Sequence, residues 1–198
     1  MRFISAAIWL ALYLAFLAWY DGWGTTRLTQ ADIDTLADRG AAADATLLEA
    51  FQNLAADDDG NEFYMLNLNR YAYAKGEAQT GSPADYQDYG QAVLPLLLSR
   101  ASHPIYSGEI PGFLLAGEIQ SGYWHDVILV RYRSRRDFFN MVTSPEYQAI
   151  VGQRAGGIEY AEVTPTRPGL VLTTPRLLVF LLLAIVAFLA DRLLSRRS

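Results

Sequence analysis

The chain of 198 residues contains no cysteine and only two histidines. Without cysteine it has no disulfide, no thiolate nucleophile and no cysteine-based zinc site. His103 and His125 stand far apart, in neither an H-x-H nor an H-x-x-x-H spacing, so we predict no metal site and no bound cofactor. The sequence also lacks a G-x-S-x-G elbow, a P-loop and a dinucleotide fingerprint, which excludes the usual hydrolase and nucleotide-binding classes.

Basic side chains are scarce, with 16 Lys and Arg against 21 Asp and Glu and a net charge of −5. Five of the arginines lie in residues 1–20 and 176–198 with a single aspartate, so the part between is strongly acidic. Affinity for nucleic acid comes chiefly from Lys and Arg neutralising phosphates. We therefore predict no nucleic-acid partner.

Long apolar runs stand at both ends of the chain. Residues 3–20 carry no charge and span about 27 Å as a helix, close to the roughly 30 Å of a bilayer core. Residues 177–190 are also uncharged, and Leu193 and Leu194 extend the apolar character beyond them. The pattern predicts transmembrane helices at 1–22 and 175–198, with membrane lipid as a partner. A cleaved signal peptide is the alternative for the first run.

Arginine marks the outer flank of each run, at Arg2 before the first and at Arg192, Arg196 and Arg197 after the second. The positive-inside rule then predicts that both termini are cytoplasmic. On this interpretation the protein crosses the inner (cytoplasmic) membrane twice and its folded domain is extracytoplasmic.

Small residues recur in both runs, at Ala7, Ala11 and Ala15 and again at Ala184 and Ala187. Because small side chains let membrane helices approach closely, they predict a membrane-protein partner bound through these Ala-lined helices. The alternative is that alanine is simply common in membrane helices.

The middle of the chain opens with a helical lead-in segment, residues 23–61. Thr29 and Asp32 form the capping signature that starts its first helix. The acidic run before Gly60 lacks the alternating ligands of a calcium loop, so we interpret it as a solvated turn.

Strand and helix signals alternate from residue 62 to residue 166, with a linker at 167–174. Alternating or β-rich runs predict strands, which lie at 62–70, 103–119 with a break, 124–133 and 158–164. Ser82 and Ser134 open the two intervening helices. The order strand, helix, strand, strand, helix, strand predicts a ferredoxin-like α+β domain, βαββαβ.

Several motifs within this domain resemble an uncharacterised domain family of the dimeric α/β-barrel superfamily. They are Trp124 to Arg133 running into Ser134-Arg135, Ser144-Pro145-Glu146-Tyr147-Gln148 with Arg154, Tyr86-x-x-Tyr89, and Met65-x-Asn67-Leu68. The resemblance implies a homodimer in which two four-stranded sheets face each other and enclose a barrel. It implies no activity, because the family has none established. We expect Phe63 and Met65 to lie beside Val127 and Leu129 on the dimer face.

Strand alternation also suggests a ligand site inside the barrel. We expect Asn67 and Asn69 on one strand to share a face with His125, Arg131 and Arg133 on another. Arginine would pair with an anionic or carbonyl ligand, and histidine would act as acid or base. The alternative is a polar dimer interface or solvated strand ends. A buried Arg131 must in any case meet an acid, water or an anion.

These patterns predict a membrane-anchored, extracytoplasmic binding or interaction module without catalysis, or an accessory subunit of a membrane complex. The alternative is a small cofactor-independent oxygenase or isomerase acting on a small organic molecule, so whether the chain is an enzyme stays open.

Overall fold

The structure is a computed structural model that describes residues 2–39, 45–73, 81–112, 123–171 and 174–195. The chain divides into two compact units, one of Thr25–Arg167 and one of Met1–Gly24 with Pro168–Ser198. The finer domain boundaries drawn from the sequence stay a prediction.

Seven helices and four strands make up the described part of the chain. The helices are Arg2–Tyr20 (α1), Gln30–Arg39 (α2), Ala45–Ala56 (α3), Ala84–Leu98 (α4), Arg135–Val142 (α5), Pro145–Gly157 (α6) and Pro175–Ser195 (α7). The strands are Phe63–Tyr71 (β1), His103–Glu109 (β2), Asp126–Tyr132 (β3) and Ile158–Thr166 (β4). The continuation of the second strand predicted beyond residue 112 lies outside the described residues.

The starts of α2 and α5 agree with the capping residues in the sequence, whereas α4 follows Pro83 without the side-chain cap expected from Ser82. The Thr29 N–H donates to Asp32 Oδ2 at 2.7 Å and the Asp32 N–H donates to Thr29 Oγ1 at 3.3 Å, which is the reciprocal bonding of a capping box. Ser134 likewise caps α5 by accepting the N–H of Asp137.

The four strands form one antiparallel sheet in the order β2-β3-β1-β4. With β1 and β3 central and helices between β1 and β2 and between β3 and β4, this is the ferredoxin-like arrangement. The ferredoxin-like α+β part of the fold prediction is confirmed.

One face of the sheet packs on α3, α4 and α5. Phe63 lies opposite Tyr132 and Met65 opposite Val130, and directly opposed residues of an antiparallel pair share a face. All four are buried in the hydrophobic core. The Phe63 ring stacks on Tyr132 at 5.3 Å and meets the edge of Phe138 at 5.9 Å, so aromatic packing ties the central strands to α5.

The opposite face of the sheet carries Leu66, Leu68, Val127 and Leu129, which are half-buried and lie outside the core cluster. The prediction that Phe63 and Met65 share a face with Val127 and Leu129 is therefore wrong. The physical reason is the register, which pairs odd-numbered residues of β1 with even-numbered residues of β3.

The smaller unit pairs α1 with α7. The edge of the Tyr13 ring meets Phe180 at 5.3 Å, and the Tyr13 hydroxyl donates to the Arg176 carbonyl at 3.3 Å. The Arg176 guanidinium donates to Asp21 at 2.8 Å and lies 5.0 Å from the centre of the Tyr20 ring. These contacts join the end of α1 to the start of α7.

Within the part of the chain that the structure describes, no helix combines the length and the apolar character needed to cross a membrane. In α7, Arg176, Asp191 and Arg192 leave 14 uncharged residues between them, about 21 Å against a bilayer core of about 30 Å.

The predicted transmembrane helices at 1–22 and 175–198 are therefore wrong, and so is the predicted two-pass location in the inner membrane with an extracytoplasmic domain. The lipid partner and the membrane-protein partner were inferred from those spans and lose their basis with them.

Candidate ligand site

Four buried polar side chains meet where β1 ends and where β3 and α4 begin. Asn69 lies directly opposite Asp126 in the strand register, so both point to the helix side of the sheet. The Asn69 amide nitrogen donates to Asp126 Oδ1 at 2.8 Å and to the Tyr86 hydroxyl at 3.1 Å. The Tyr71 hydroxyl donates to Asp126 Oδ2. We call Asn69, Tyr71, Tyr86 and Asp126 the Asn69 cluster.

Strand alternation places Tyr71 in this cluster, because it lies two residues after Asn69 on β1. The pairing of β1 with β4 shifts register at this point, and the extra residue, Glu159, lies on β4. The Tyr71 N–H donates to His125 Nδ1 at 2.9 Å, and the Tyr71 hydroxyl accepts a hydrogen bond from Ser82 at 3.1 Å. The end of β1 is thus held by polar contacts from β3 and from the segment that precedes α4.

The Asn69 cluster is almost completely removed from solvent, with exposed fractions of 0% for Asn69, 3% for Tyr71, 7% for Asp126 and 9% for Tyr86. Burial raises the pKa of Asp126 above its ordinary value, although hydrogen bonds from Tyr71 and Asn69 act in the opposite direction. Burial also raises the pKa of Tyr86 to about 12. The pKa of Tyr71 is raised by burial and by its hydrogen bond to Asp126.

Hydrogen-bond capacity in the cluster is not balanced. Both hydrogens of the Asn69 amide are used, but the amide oxygen, Asn69 Oδ1, is buried and has no partner among the described residues. Most buried polar atoms in proteins have a partner, so an orphan carbonyl oxygen beside a buried carboxyl is unusual. The cluster therefore has acceptors to spare and few donors.

Half-buried side chains form the rim of the cluster. The His125 ring stacks on Tyr71 at 5.9 Å and lies 5.3 Å from the Tyr73 ring. Because His125 Nδ1 accepts the Tyr71 N–H, the neutral ring carries its proton on Nε2. Ser82 lies on the same rim through its bond to Tyr71.

The five predicted site residues are divided between two faces of the sheet. Asn67 lies opposite Ile128 and Asn69 opposite Asp126, whereas Arg131 lies opposite Tyr64. The prediction that Asn67, His125 and Arg131 share a face is therefore wrong, because the actual register is offset by one residue from the assumed one. The structure brings Asn69 and His125 to the same end of β1 and leaves the other three apart from them.

Arg131 is buried and paired within the chain. Its guanidinium donates through Nε and Nη2 to Glu62, both at 2.7 Å, and through Nη1 to the Ala101 carbonyl at 2.6 Å. Of the partners considered for a buried Arg131, the one found is an acid of the protein. Ala101 has a positive φ of 51°, so Arg131 also holds the turn between α4 and β2 in a conformation unusual for alanine.

The remaining two predicted residues have local partners. The Asn67 amide donates to the carbonyls of Met65 and Ile128 at 3.1 and 3.3 Å. Arg133 pairs with Asp137 at 2.6 Å, and this hydrogen bond raises the pKa of the guanidinium. Both residues join elements of the fold to each other.

Reasoning from the sequence missed Asp126, Tyr71 and Tyr86 as members of a polar site. Asp126 opens a strand that is otherwise apolar up to Arg131, and an isolated acid at such a position was the available signal. Tyr86 was noted only in the Tyr86-x-x-Tyr89 motif of the family resemblance. These side chains meet only because of the register between β1 and β3, and that register cannot be derived from the sequence alone.

The described residues contain no group of three or more His, Asp or Glu side chains arranged to hold a metal ion. The chemistry available in the cluster is hydrogen bonding and proton exchange at Asp126 and its tyrosine partners.

No protein-family model matches the chain, and no curated protein matches it. Among solved structures, the chain is similar to a protein of unknown function from Rhodopseudomonas palustris, with 24% identity, a TM-score of 0.53, and coverage of 62% of this chain and 94% of that one. The methylated form of the same protein gives 25% identity, a TM-score of 0.53, and coverage of 63% and 93%.

A Dabb-family protein with a ferredoxin-like fold from Mesorhizobium loti aligns more distantly, with 10% identity, a TM-score of 0.38, and coverage of 55% of this chain and 97% of that one. The similarity to the Rhodopseudomonas palustris protein shows a shared fold alone. The comparisons give no ligand or activity for this chain, and the family-level resemblance inferred from the motifs stays a prediction.

Proposed function

We propose that residues 62–166 form a small-molecule-binding module whose ligand site is the Asn69 cluster. The observation that carries the proposal is the completely buried Asn69 with an amide oxygen that no described residue bonds. Of the five residues predicted from the sequence, we keep Asn69 in the site and His125 on its rim. We assign Asn67, Arg131 and Arg133 to the fold.

Energetics support a site at this position. A buried acceptor without a donor costs about 1–3 kcal/mol, and Asp126 adds a buried carboxyl whose charged form burial disfavours. A ligand that donates to these atoms recovers part of that free energy on binding. The other buried side-chain atom without a hydrogen-bond partner among the described residues is Arg135 Nε, and its guanidinium already pairs with Asp57 and Asp59. The Asn69 cluster, with an unbonded oxygen beside a buried carboxyl, is therefore where a ligand would recover most free energy.

We also propose a homodimer formed through the sheet face that carries Leu66, Leu68, Val127 and Leu129. These side chains are half-buried and lie outside the core cluster, and covering them with a second sheet would bury apolar area. We expect the full chain to be dimeric by light scattering and Leu129→Glu to be monomeric. Leu47→Glu, which places the same charge at an exposed position of α3, should stay dimeric, and a monomeric wild-type protein would contradict the proposal.

A second candidate function is a cofactor-independent isomerase or oxygenase that acts on a small organic molecule. It is favoured by Asp126, a buried carboxyl with a raised pKa in contact with the Tyr71 hydroxyl. Perturbed acids of this kind serve in proton transfer. Turnover of a bound molecule that is lost in Asp126→Asn while binding persists would favour the enzyme over the binding module.

Two asparagines on the same strand and the same face provide a matched test of the site. Asn69→Leu removes the orphan oxygen, whereas Asn67→Leu changes an amide that bonds only backbone carbonyls. We expect small molecules that co-purify with the full chain, or that raise its melting temperature in a fragment screen, to be lost in Asn69→Leu and kept in Asn67→Leu. Equal binding to both variants would place any site elsewhere and contradict the proposal.

A further inference from the structure

We infer that the group recognised by the Asn69 cluster is a protonated primary or secondary amine of a small molecule. The inference rests on the proposed function and adds the chemical class of the ligand. It follows from three properties of the cluster: its spare hydrogen-bond acceptors, its uncompensated carboxyl and its adjoining tyrosine side chains.

The spare hydrogen-bonding positions are mainly acceptors. Asn69 Oδ1 accepts no hydrogen bond, and each Asp126 oxygen accepts one from the chain, although a carboxylate oxygen has room for two. The only spare proton is that of the Tyr86 hydroxyl, which accepts from Asn69 and has no acceptor of its own among the described residues. A donor-rich group fits this arrangement, and a carboxylate or phosphate does not.

The site holds one carboxyl and no cationic partner for it among the described residues. Asp126 forms no ion pair with any described Lys or Arg. Arg154 of α6 acts electrostatically on Tyr86, and His125 acts electrostatically on Asp126. A buried carboxylate without a cation costs free energy. The ammonium group of a ligand would provide the cationic partner that the described residues do not provide for Asp126.

Aromatic side chains adjoin the carboxyl and the amide of the cluster. The centres of the Tyr71 and Tyr86 rings lie 5.1 Å apart, and the His125 and Tyr73 rings extend these aromatic contacts to the rim. The hydroxyl groups of Tyr71 and Tyr86 bond Asp126 and Asn69. An ammonium bonded to Asp126 and Asn69 Oδ1 would therefore meet tyrosine oxygens as further acceptors.

Three probes with one scaffold and different head groups test the inference on the full chain: benzylamine, benzyl alcohol and benzoate. Their affinities can be measured by titration calorimetry or by ligand-observed NMR. We expect benzylamine to bind at least about tenfold more tightly than the other two, a difference of about 1.4 kcal/mol. This comparison uses the wild-type protein and does not depend on any variant folding.

Variants identify the carboxyl responsible. Asp126→Asn keeps the size of the side chain and removes its charge, so benzylamine affinity should fall about tenfold. Glu159→Gln removes the same charge from an exposed position on β4 and should leave the affinity unchanged. Equal loss in both variants would mean a nonspecific effect of net charge and would overturn the inference.

The other outcomes separate the inference from the proposed function. If benzyl alcohol or benzoate binds, benzylamine does not, and Asn69→Leu abolishes that binding, the amine class is wrong while the site stands. If none of the three binds the folded wild-type protein, the amine inference fails, and the co-purification and fragment tests still decide the proposed function. Benzylamine binding that is unaffected by both Asp126→Asn and Asn69→Leu would contradict both.

Discussion

The two ends of the β1–β3 pair hold buried polar groups that differ in their hydrogen bonding. At one end Arg131 is 1% exposed, and its guanidinium meets the Glu62 carboxylate and the Ala101 carbonyl. At the other end Asn69 is 0% exposed, and its amide oxygen accepts no hydrogen bond from the described residues. Both ends lie on the same two strands, so the difference reflects which partners the chain supplies at each end.

The difference teaches how stability and function divide within one small sheet. A buried charge with its partners in place adds little net stability but is costly to disrupt, so the Arg131 end fixes how β1, β3 and the turn after α4 meet. Groups left incomplete are typical of functional sites, where a protein gives up some stability. We therefore assign structure to the Arg131 end and binding to the Asn69 cluster.

Replacing Arg131 with Met should have the largest effect on stability. It removes the guanidinium that contacts Glu62 and the Ala101 carbonyl, so we expect the free energy of unfolding to fall by about 3 kcal/mol. Arg70→Met is the matched control, because its pair with Glu159 is exposed and should contribute at most about 1 kcal/mol. Urea unfolding measures the stability of both variants. Equal losses of stability would contradict the claim that the buried ion pair matters more than the exposed one.

Replacing Gly157 with Ala should have an intermediate effect, exerted on the Asn69 cluster. A Cβ there would lie 2.8 Å from Tyr86 Cβ and 2.9 Å from the Tyr86 backbone nitrogen, so the start of α4 must move. We expect a loss of about 1–3 kcal/mol together with weaker ligand binding.

Gly152→Ala is the control on the same helix, since nothing lies within 4 Å of the added Cβ. It should leave the stability unchanged or raise it by up to about 1 kcal/mol, because glycine is unfavourable inside a helix. If both variants behave alike in urea unfolding, close packing of α6 on Tyr86 is not what positions this residue.

The smallest expected effect is a change in pH dependence caused by Asp126→Asn. Burial raises the pKa of Asp126, so the native state holds that proton more tightly than the unfolded chain. The stability gained is fully present below the unfolded pKa of about 4 and is lost as the pH rises through the native pKa. We expect the wild-type stability relative to the variant to fall across that window.

Urea unfolding of both proteins over a pH series measures this difference. Tyr71, Tyr86 and His125 face Asp126 and are present in both proteins. Asp32 and Asp59, whose pKa values are lowered, are also common to both, so their contributions cancel. Parallel stability curves would mean that the carboxyl is not in a perturbed environment.

Local signals in the sequence predicted much of the fold. The capping pairs at Thr29 and Ser134 and the alternation of residues 62–70 mark where helices and strands begin, because these features depend on neighbours in the chain. The ferredoxin-like order follows from those elements, and the structure agrees with it.

The candidate site was not predictable in the same way. Whether Asn69 faces Asp126 or His125 depends on the pairing of two strands that are more than fifty residues apart, and a shift of one residue exchanges the faces. The two apolar runs led to the wrong prediction of transmembrane helices for another reason. The prediction for the second run extended its 14 uncharged residues past Asp191 and Arg192 to Leu193 and Leu194, although those two charges end the uncharged stretch of α7.

The most direct test of the central claim is a map of NMR shift changes in the full chain during a titration with benzylamine. We predict that the changes concentrate at Asn69, Tyr71, Tyr86 and Asp126, with the Asn69 side-chain amide among the largest, and that the signals of Glu62 and Arg131 stay in place. A titration in which the Asn69 amide does not move, or in which the shifts gather at the Arg131 end, would contradict the assignment of binding to the incomplete end of the sheet.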